Sequence, residues 1–202
     1  MYAVHPSVAY WQSILQNLKS KTGRSLEEWI ALLEGEAPDG EKERSEWLKT
    51  QHGLGRTTAA LIAGHASGKN TTETDGQAYL AAAPGYVEAM YRGKEALRPA
   101  YDQILALARK HFPDLKVCPC ATIVPLYRRH VFAQIKPATK SRLELGLCLK
   151  GYTGTLSPRL IDTGGLQKGD RITHRFHLAS GEMPDAEMLE WLRIAYELDR
   201  EP

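Results

Sequence analysis

Residues 142–150 read RLELGLCLK. Leu143, Leu145, Leu147 and Leu149 recur with a period of two, and Glu144, Gly146 and Cys148 fill the alternate positions. Successive side chains of a strand point to opposite faces of a sheet, so this stretch predicts a strand with one apolar face. Residues 171–178, RITHRFHL, repeat the pattern. They place Ile172, His174, Phe176 and Leu178 on one face and Arg171, Thr173, Arg175 and His177 on the other. Residues 131–136 are a third run. Residues 116–127 are rich in strand formers but hold Pro119 and Pro125, which belong at sheet edges or bulges. A short run at 160–162 completes a sheet of four or five mainly antiparallel strands. Helical periodicity brackets it. Upstream, residues 84–111 carry Tyr101, Ile104, Leu105 and Ala108 on one side, with Pro99 expected to kink or split the helix. Downstream, Pro184 opens a helix with Met188, Leu192 and Ala195 in register. Helices flanking an antiparallel sheet define an α+β class.

Further upstream the period changes. Val8, Trp11, Leu15 and Leu18 mark one helix face, closed by Gly23. Ser25-Leu26-Glu27-Glu28 is a capping box that opens a second helix striped by Leu26, Trp29, Ile30 and Leu33. Residues 41–51 and 57–64 predict a third and fourth, joined by His52-Gly53-Leu54-Gly55. Trp11, Trp29, Trp47 and Trp191 all sit at helical-core spacings. Residues 67–77, SGKNTTETDGQ, hold no apolar side chain and have a linker composition. The organisation expected is a helical module over 1–66, a linker over 67–77, and an α+β module over 78–202.

The composition, 43% hydrophobic and 25% charged, is that of a globular protein and excludes a disordered or fibrous chain. No apolar run approaches the roughly 20 residues a membrane helix needs. The N-terminal residues lack the basic start and apolar stretch of an export signal. With an odd number of cysteines, Cys118, Cys120 and Cys148, this points to free thiols in a reducing, cytoplasmic compartment. The net charge of +2 is unevenly laid out. Residues 1–75 carry 8 Lys+Arg against 10 Asp+Glu, residues 109–180 carry 13 against 4, and residues 181–202 carry 2 against 7. A basic centre between acidic ends is either an anion-binding surface or a face neutralised by the chain's own C-terminal helix.

These landmarks resemble two bacterial families of domains of unknown function that occur in tandem. The first likeness lies in Thr22-Gly23-Arg24-Ser25-Leu26-Glu27-Glu28-Trp29, in Trp47-Leu48-Lys49 and in His52-Gly53-Leu54-Gly55. The second lies in Phe132-Ala133-Gln134-Ile135-Lys136-Pro137, the leucine strand, His174-Arg175 and Leu192-Arg193-Ile194-Ala195-Tyr196-Glu197. Together they cover roughly residues 10–66 and 86–198. The resemblance implies a cytosolic bacterial protein and supplies no catalytic residues. Relatives of the second family joined to nuclease-like domains imply a nucleic-acid setting.

Two features carry candidate binding chemistry. The turn with Gly53 and Gly55, followed by Arg56 and Thr57, resembles the Gly-hydrophobic-Gly turn of a helix-hairpin-helix. There, backbone N–H groups and a helix N-terminus approach a DNA phosphate. The alternative is that the glycines merely permit a tight turn with Leu54 as a core plug. The second feature is the cationic strand region: Arg128, Arg129, Arg171 and Arg175, with His130, Lys136, Lys140, Arg142, Lys150 and His177 nearby. If these share a sheet face, it would take phosphates or an acidic partner, with Tyr127, Phe132 and Tyr152 able to add stacking.

Other constellations fall away. Cys118-Pro119-Cys120 with Cys148 and His174 has the wrong spacing for a zinc knuckle, so neither metal nor cofactor is expected. His174 lies on an apolar face and has no recognisable catalytic partner. The expected function is therefore a non-enzymatic binding protein contacting nucleic acid or an acidic partner, with no membrane association. One alternative is a small-ligand or enzymatic pocket lined by Tyr127, Arg129, His174 and Arg175. Another is a protein-interaction or oligomerisation module. The sequence does not specify the oligomeric state.

Overall fold

The computed structural model describes residues 1–69 and 71–200, and they form two compact units. One comprises Val4–Ala82. The other comprises Ala83–Pro202 together with Met1–Ala3.

The first unit is helical: α1 (Pro6–Gln16), α2 (Leu18–Thr22), α3 (Leu26–Glu36), α4 (Glu41–His52), α5 (Arg56–Ala66), α6 (Thr71–Thr74) and the start of α7 (Gly76–Tyr91). The first predicted helix is divided. At Asn17 the backbone leaves helical geometry and the side-chain amide donates to the Ser13 carbonyl, which separates α1 from α2. The capping box forms: the Glu28 amide donates to Ser25 Oγ, and the Ser25 amide donates to the Glu28 carboxylate. Leu18, Trp29, Leu33, Leu48, Ala59 and Ile62 make the core, and the Trp29 indole N–H donates to Thr22 Oγ1 at 2.9 Å. Within the polar stretch 67–77, α6 packs on α1, and Gln12 donates to the Thr74 carbonyl at 2.9 Å. The helix α7 begins at Gly76, with Pro84 inside it.

The second unit continues α7 through a 3-10 turn (Glu95–Leu97) into α8 (Arg98–His111). The predicted break in the long helix is present, but it falls at Gly93, which adopts φ +71. Pro99 sits in the first turn of α8, where its missing N–H costs no helical bond. Among the described residues the sheet has six strands, all antiparallel. These are β1 (Lys116–Val117), β2 (Val124–Tyr127), β3 (Val131–Pro137), β4 (Arg142–Leu147), β5 (Ile161–Asp162) and β6 (His174–Ala179), in the order β1-β2-β3-β4-β6-β5. A short helix, α9 (Gly165–Lys168), lies between β5 and β6, and α10 (Ala186–Leu198) closes the unit. The class is α+β. The strand count exceeds the four or five expected because residues 116–127 split into two strands.

One face of the sheet is the core. Leu143, Leu145 and Leu147 pair with Leu178, Phe176 and His174, and the apolar members pack with Ile104, Leu105, Met188, Leu192 and Ala195 of α8 and α10. A bulge where β2 meets β3 skips Phe132, because Leu126 faces Ala133 and Tyr127 faces Val131. A bulge turns two successive side chains the same way. Phe132 is accordingly buried beside Ala133, with its ring edge-on to Phe112 and Tyr196. One expected face is corrected. Ile172 does not share the side of Phe176; its Cγ2 lies over Gly146, where an added Cβ would come within 2.7 Å. Regular pairing of β6 begins only at His174; just before it the Thr173 amide donates to the Leu147 carbonyl at 3.0 Å and its Oγ1 accepts from the Leu149 amide at 3.0 Å.

Candidate functional site

The opposite face of the sheet follows by alternation. Gln134 and Lys136 of β3, Arg142, Glu144 and Gly146 of β4, and Arg175 and His177 of β6 point away from the helices. Glu144 is its centre and is buried. Arg142 Nη2 and His177 Nε2 lie 3.3 and 3.4 Å from its Oε1, and Arg175 Nη1 lies 3.6 Å from its Oε2. One carboxylate thus holds two guanidinium groups and an imidazole, with Lys136 opposite it in register. Burial, reinforced by the neighbouring Arg142, pushes the His177 pKa below its ordinary value, and Glu144 only partly offsets this. At neutral pH the cluster therefore carries an excess of positive charge with His177 neutral.

A second node lies at the end of α10. Asp199 is buried, and its carboxylate accepts four hydrogen bonds. Oδ2 takes the Arg129 amide at 3.0 Å and the His130 amide at 2.7 Å. Oδ1 takes His130 Nδ1 at 3.1 Å and Arg171 Nη2 at 2.9 Å. Arg171 also donates through Nε to the Val131 carbonyl at 3.0 Å. Around this node opens a cleft of about 610 Å³, lined by Arg129, His130, Lys150, Asp170, Arg171 and Arg200, with Cys148, Gly151 and Gly169 in its walls. A groove of about 460 Å³ on the sheet face is lined by Gln134, Lys136, Glu144, Arg175, Asp170 and Arg171, among others. Asp170 and Arg171 line both, so the cleft and the groove adjoin.

The cationic residues expected in this region have different fates. Arg129 and Arg171 share the cleft, and Arg171 and Arg175 share the groove. Arg128 turns elsewhere: its guanidinium stacks 4.1 Å from the centre of the Tyr196 ring and donates to the Tyr196 carbonyl at 3.2 Å. Tyr127 faces the groove side beside Val131. Its hydroxyl pKa is pushed up to about 12, chiefly by burial. His174 faces the core side, bonded to Thr173 Oγ1 at 2.9 Å, and its neighbour Arg175 faces away from it. Tyr127 and His174 stand three strand spacings apart across the sheet, roughly 14 Å at about 4.8 Å each. Tyr127, Arg129, His174 and Arg175 therefore do not converge on one point. Asp199, Asp170 and Arg200 complete the cleft and carry no local signature in the sequence; acidic residues ending a helix read as ordinary solvated charge.

In the helical unit, Gly53 adopts φ +65 and ends α4, and Gly55 starts α5 without a side-chain cap. The first amides of α5, including those of Arg56 and Thr57, lie in the turn that has no intrahelical acceptor. Arg56 lines a groove with Lys42, Lys49, Glu41 and Glu46. There Lys49 is bound to Glu46 at 2.7 Å, and Lys69 reaches Glu41 at 2.9 Å.

Among the described residues no group of three or more His, Cys, Asp or Glu is placed to hold a metal ion, and no helix is long and apolar enough to cross a membrane. Cys118 is buried, which pushes its thiol pKa up to about 12. The fold and charged face define a helical unit joined to an α+β unit that presents a cationic sheet surface. The chain belongs to the family described as Domain of unknown function (DUF5655), whose model matches residues 87–199, more than half of its length. A second model, Domain of unknown function (DUF4287), matches residues 11–68, so the two stand in tandem. No curated protein and no solved structure matches the chain.

Proposed function

We propose that the protein is a non-enzymatic binding protein whose α+β unit takes a polyanion, a single-stranded nucleic acid, across the outer face of its sheet. The observation that carries this is the adjoining pair of clefts. Lys136, Arg142, Arg175 and Arg171 on the sheet lead into Arg129, Lys150 and Arg200 at the end of α10, against Glu144, Asp170 and Asp199. Lys136 and Lys150 are exposed and make no ion pair among the described residues. With Glu197 on Arg200 included, a surface of these seven cations against four carboxylates still attracts phosphates and releases their counterions. The surface is a sheet face and not a projecting helix or two-stranded ribbon. A strand lying across it fits better than a duplex read through its groove. The uncapped start of α5, with Arg56 and Thr57, is a secondary candidate contact in the helical unit.

Fluorescence anisotropy of labelled oligonucleotides tests the reading. A single strand should bind at about 50 mM salt and weaken steeply by about 200 mM, while a duplex of equal length binds less well. Absence of any single-strand binding at the lower salt overturns it.

A further inference from the structure

We infer that Arg142, Arg175 and His177 frame a phosphate subsite on the outer sheet face, and that Glu144 is its built-in occupant, which a bound phosphate displaces. The inference deepens the strand-binding reading and rests on it: it names the place one phosphate takes and the residue that competes for it. The frame comes from register. His177 stands directly opposite Glu144 across β4 and β6, Arg175 stands opposite Gly146, and Arg142 lies two residues before Glu144 on β4. Alternation turns all four side chains to the same face. Paired strands carry every one of them, and a site built on strands is held more closely than one on loops.

Glu144 holds this frame loosely. Its contacts with Arg142, His177 and Arg175 are 3.3, 3.4 and 3.6 Å. Elsewhere in the unit, Arg98 reaches Glu88 and Asp102 at 2.9 and 3.0 Å, and Arg171 reaches Asp199 at 2.9 Å. Those are the distances of charge-assisted hydrogen bonds, whereas 3.6 Å is too long for one. The carboxylate of Glu144 is thus spread over three side chains. The Nε atoms of Arg142 and Arg175 are buried and meet no acceptor among the described residues. A buried donor without an acceptor is costly, so the frame is short of oxygens. A phosphate group carries more acceptor oxygens than a carboxylate does.

The phosphate has a way in, and the carboxylate has a place to go. The groove of about 460 Å³ reaches Glu144 and Arg175 from solvent. The side chains of Arg142, Arg175 and His177 are 43%, 34% and 31% exposed, so a ligand can touch all three. Lys136 faces Glu144 in register from β3, is exposed, and makes no ion pair among the described residues. Facing side chains on neighbouring strands stand about 5 Å apart at Cβ. A displaced Glu144 carboxylate can therefore turn to Lys136 without any movement of the sheet.

The experiment uses the intact chain. Heteronuclear NMR follows the Nε–H signals of Arg142 and Arg175 during titration with inorganic phosphate at constant ionic strength, with chloride as the control. Both signals should move saturably with phosphate. Anisotropy then compares Glu144→Gln with Asp162→Asn, an exposed change of the same charge on β5, the strand beside β6. Glu144→Gln keeps the shape and removes the competing charge, so it should tighten single-strand binding about tenfold, the worth of one hydrogen bond to a charged group. Asp162→Asn should change it less than about threefold. If the strand binds while either Nε signal stays still, the inference falls and strand binding stands. A Glu144→Gln variant that tightens binding no more than Asp162→Asn, or weakens it, also overturns the inference, because Glu144 then only neutralises its neighbours. If no strand binds, the polyanion reading falls and the phosphate titration decides the subsite. Saturable movement of both signals, tighter in Glu144→Gln, supports it, and anything less overturns it.

Discussion

Asp199 takes hydrogen bonds from Arg129, His130 and Arg171, residues 28 to 70 positions away in the chain. Removing it in Asp199→Ala leaves two backbone amides and a guanidinium without their acceptor. Two unsatisfied amides and a broken ion pair, buried on the carboxylate side but nearly half exposed at Arg171, together cost about 1–3 kcal/mol. Urea unfolding should show that loss, and amide exchange at Arg129 and His130 should accelerate first. A loss under about 0.5 kcal/mol, the range of an ordinary surface change, would mean the node is not structural. The separations of 28 to 70 residues also explain why Asp199 was illegible in the sequence. The residue is one of seven acids in the last 22 positions, and nothing local distinguishes it from Glu190 or Glu197. Arg128 and Arg129 make the same point: two identical neighbours, one stacked on Tyr196 and one lining the cleft. Chain sequence cannot separate them because the choice is made by the turn into β3.

At the scale of elements, β4 was legible because its leucines alternate without interruption, and the capping box of α3 because all its partners are local. The alternation read through Ile172 fails because regular pairing stops at His174, where Thr173 bonds to Leu147 and Leu149 instead. The two strands β4 and β6 together make a titratable surface. His177, half-buried between Arg142, Arg175 and Glu144, has a pKa below its unfolded value of 6.5. As pH falls below about that value, the unfolded chain takes up the proton first. Stability present above 6.5 is therefore lost as pH drops toward the folded pKa. Polyanion binding runs the other way, since a phosphate beside the imidazole favours its charged form. Between pH 7 and 5.5, thermal stability should fall while oligonucleotide affinity rises, and His177→Asn should flatten both trends. An NMR titration placing the His177 pKa above 6.5 in the free protein contradicts this account.

At the scale of the molecule, the basic centre and acidic tail pair only in part. Residues of the tail do neutralise part of the basic region: Asp185 and Glu187 hold Arg159, Asp199 holds Arg171, and Glu197 reaches Arg128. Among the described residues none of the tail's acids pairs with the cluster at Lys136, Arg142 and Arg175, whose carboxylate, Glu144, comes from β4 itself. The net charge of +2 conceals this, and the uneven distribution along the chain shows only that one outcome or the other must hold. Folding decides it, by putting α10 on the core face and leaving the outer face its own excess. The helical unit differs: its residues up to 75 carry more acid than base, and two of the lysines around Arg56 are bound to Glu41 and Glu46. Charge reversal should then separate the units. Lys136→Glu and Lys150→Glu, both exposed, should together weaken single-strand binding at least about tenfold and flatten the salt dependence by roughly 0.7 per lost phosphate contact. Arg56→Glu, at the uncapped start of α5, should change affinity less than about twofold, because its surroundings already offset it. The reverse ranking, with Arg56→Glu dominant, would move the binding surface to the α4–α5 turn and remove the sheet from the account.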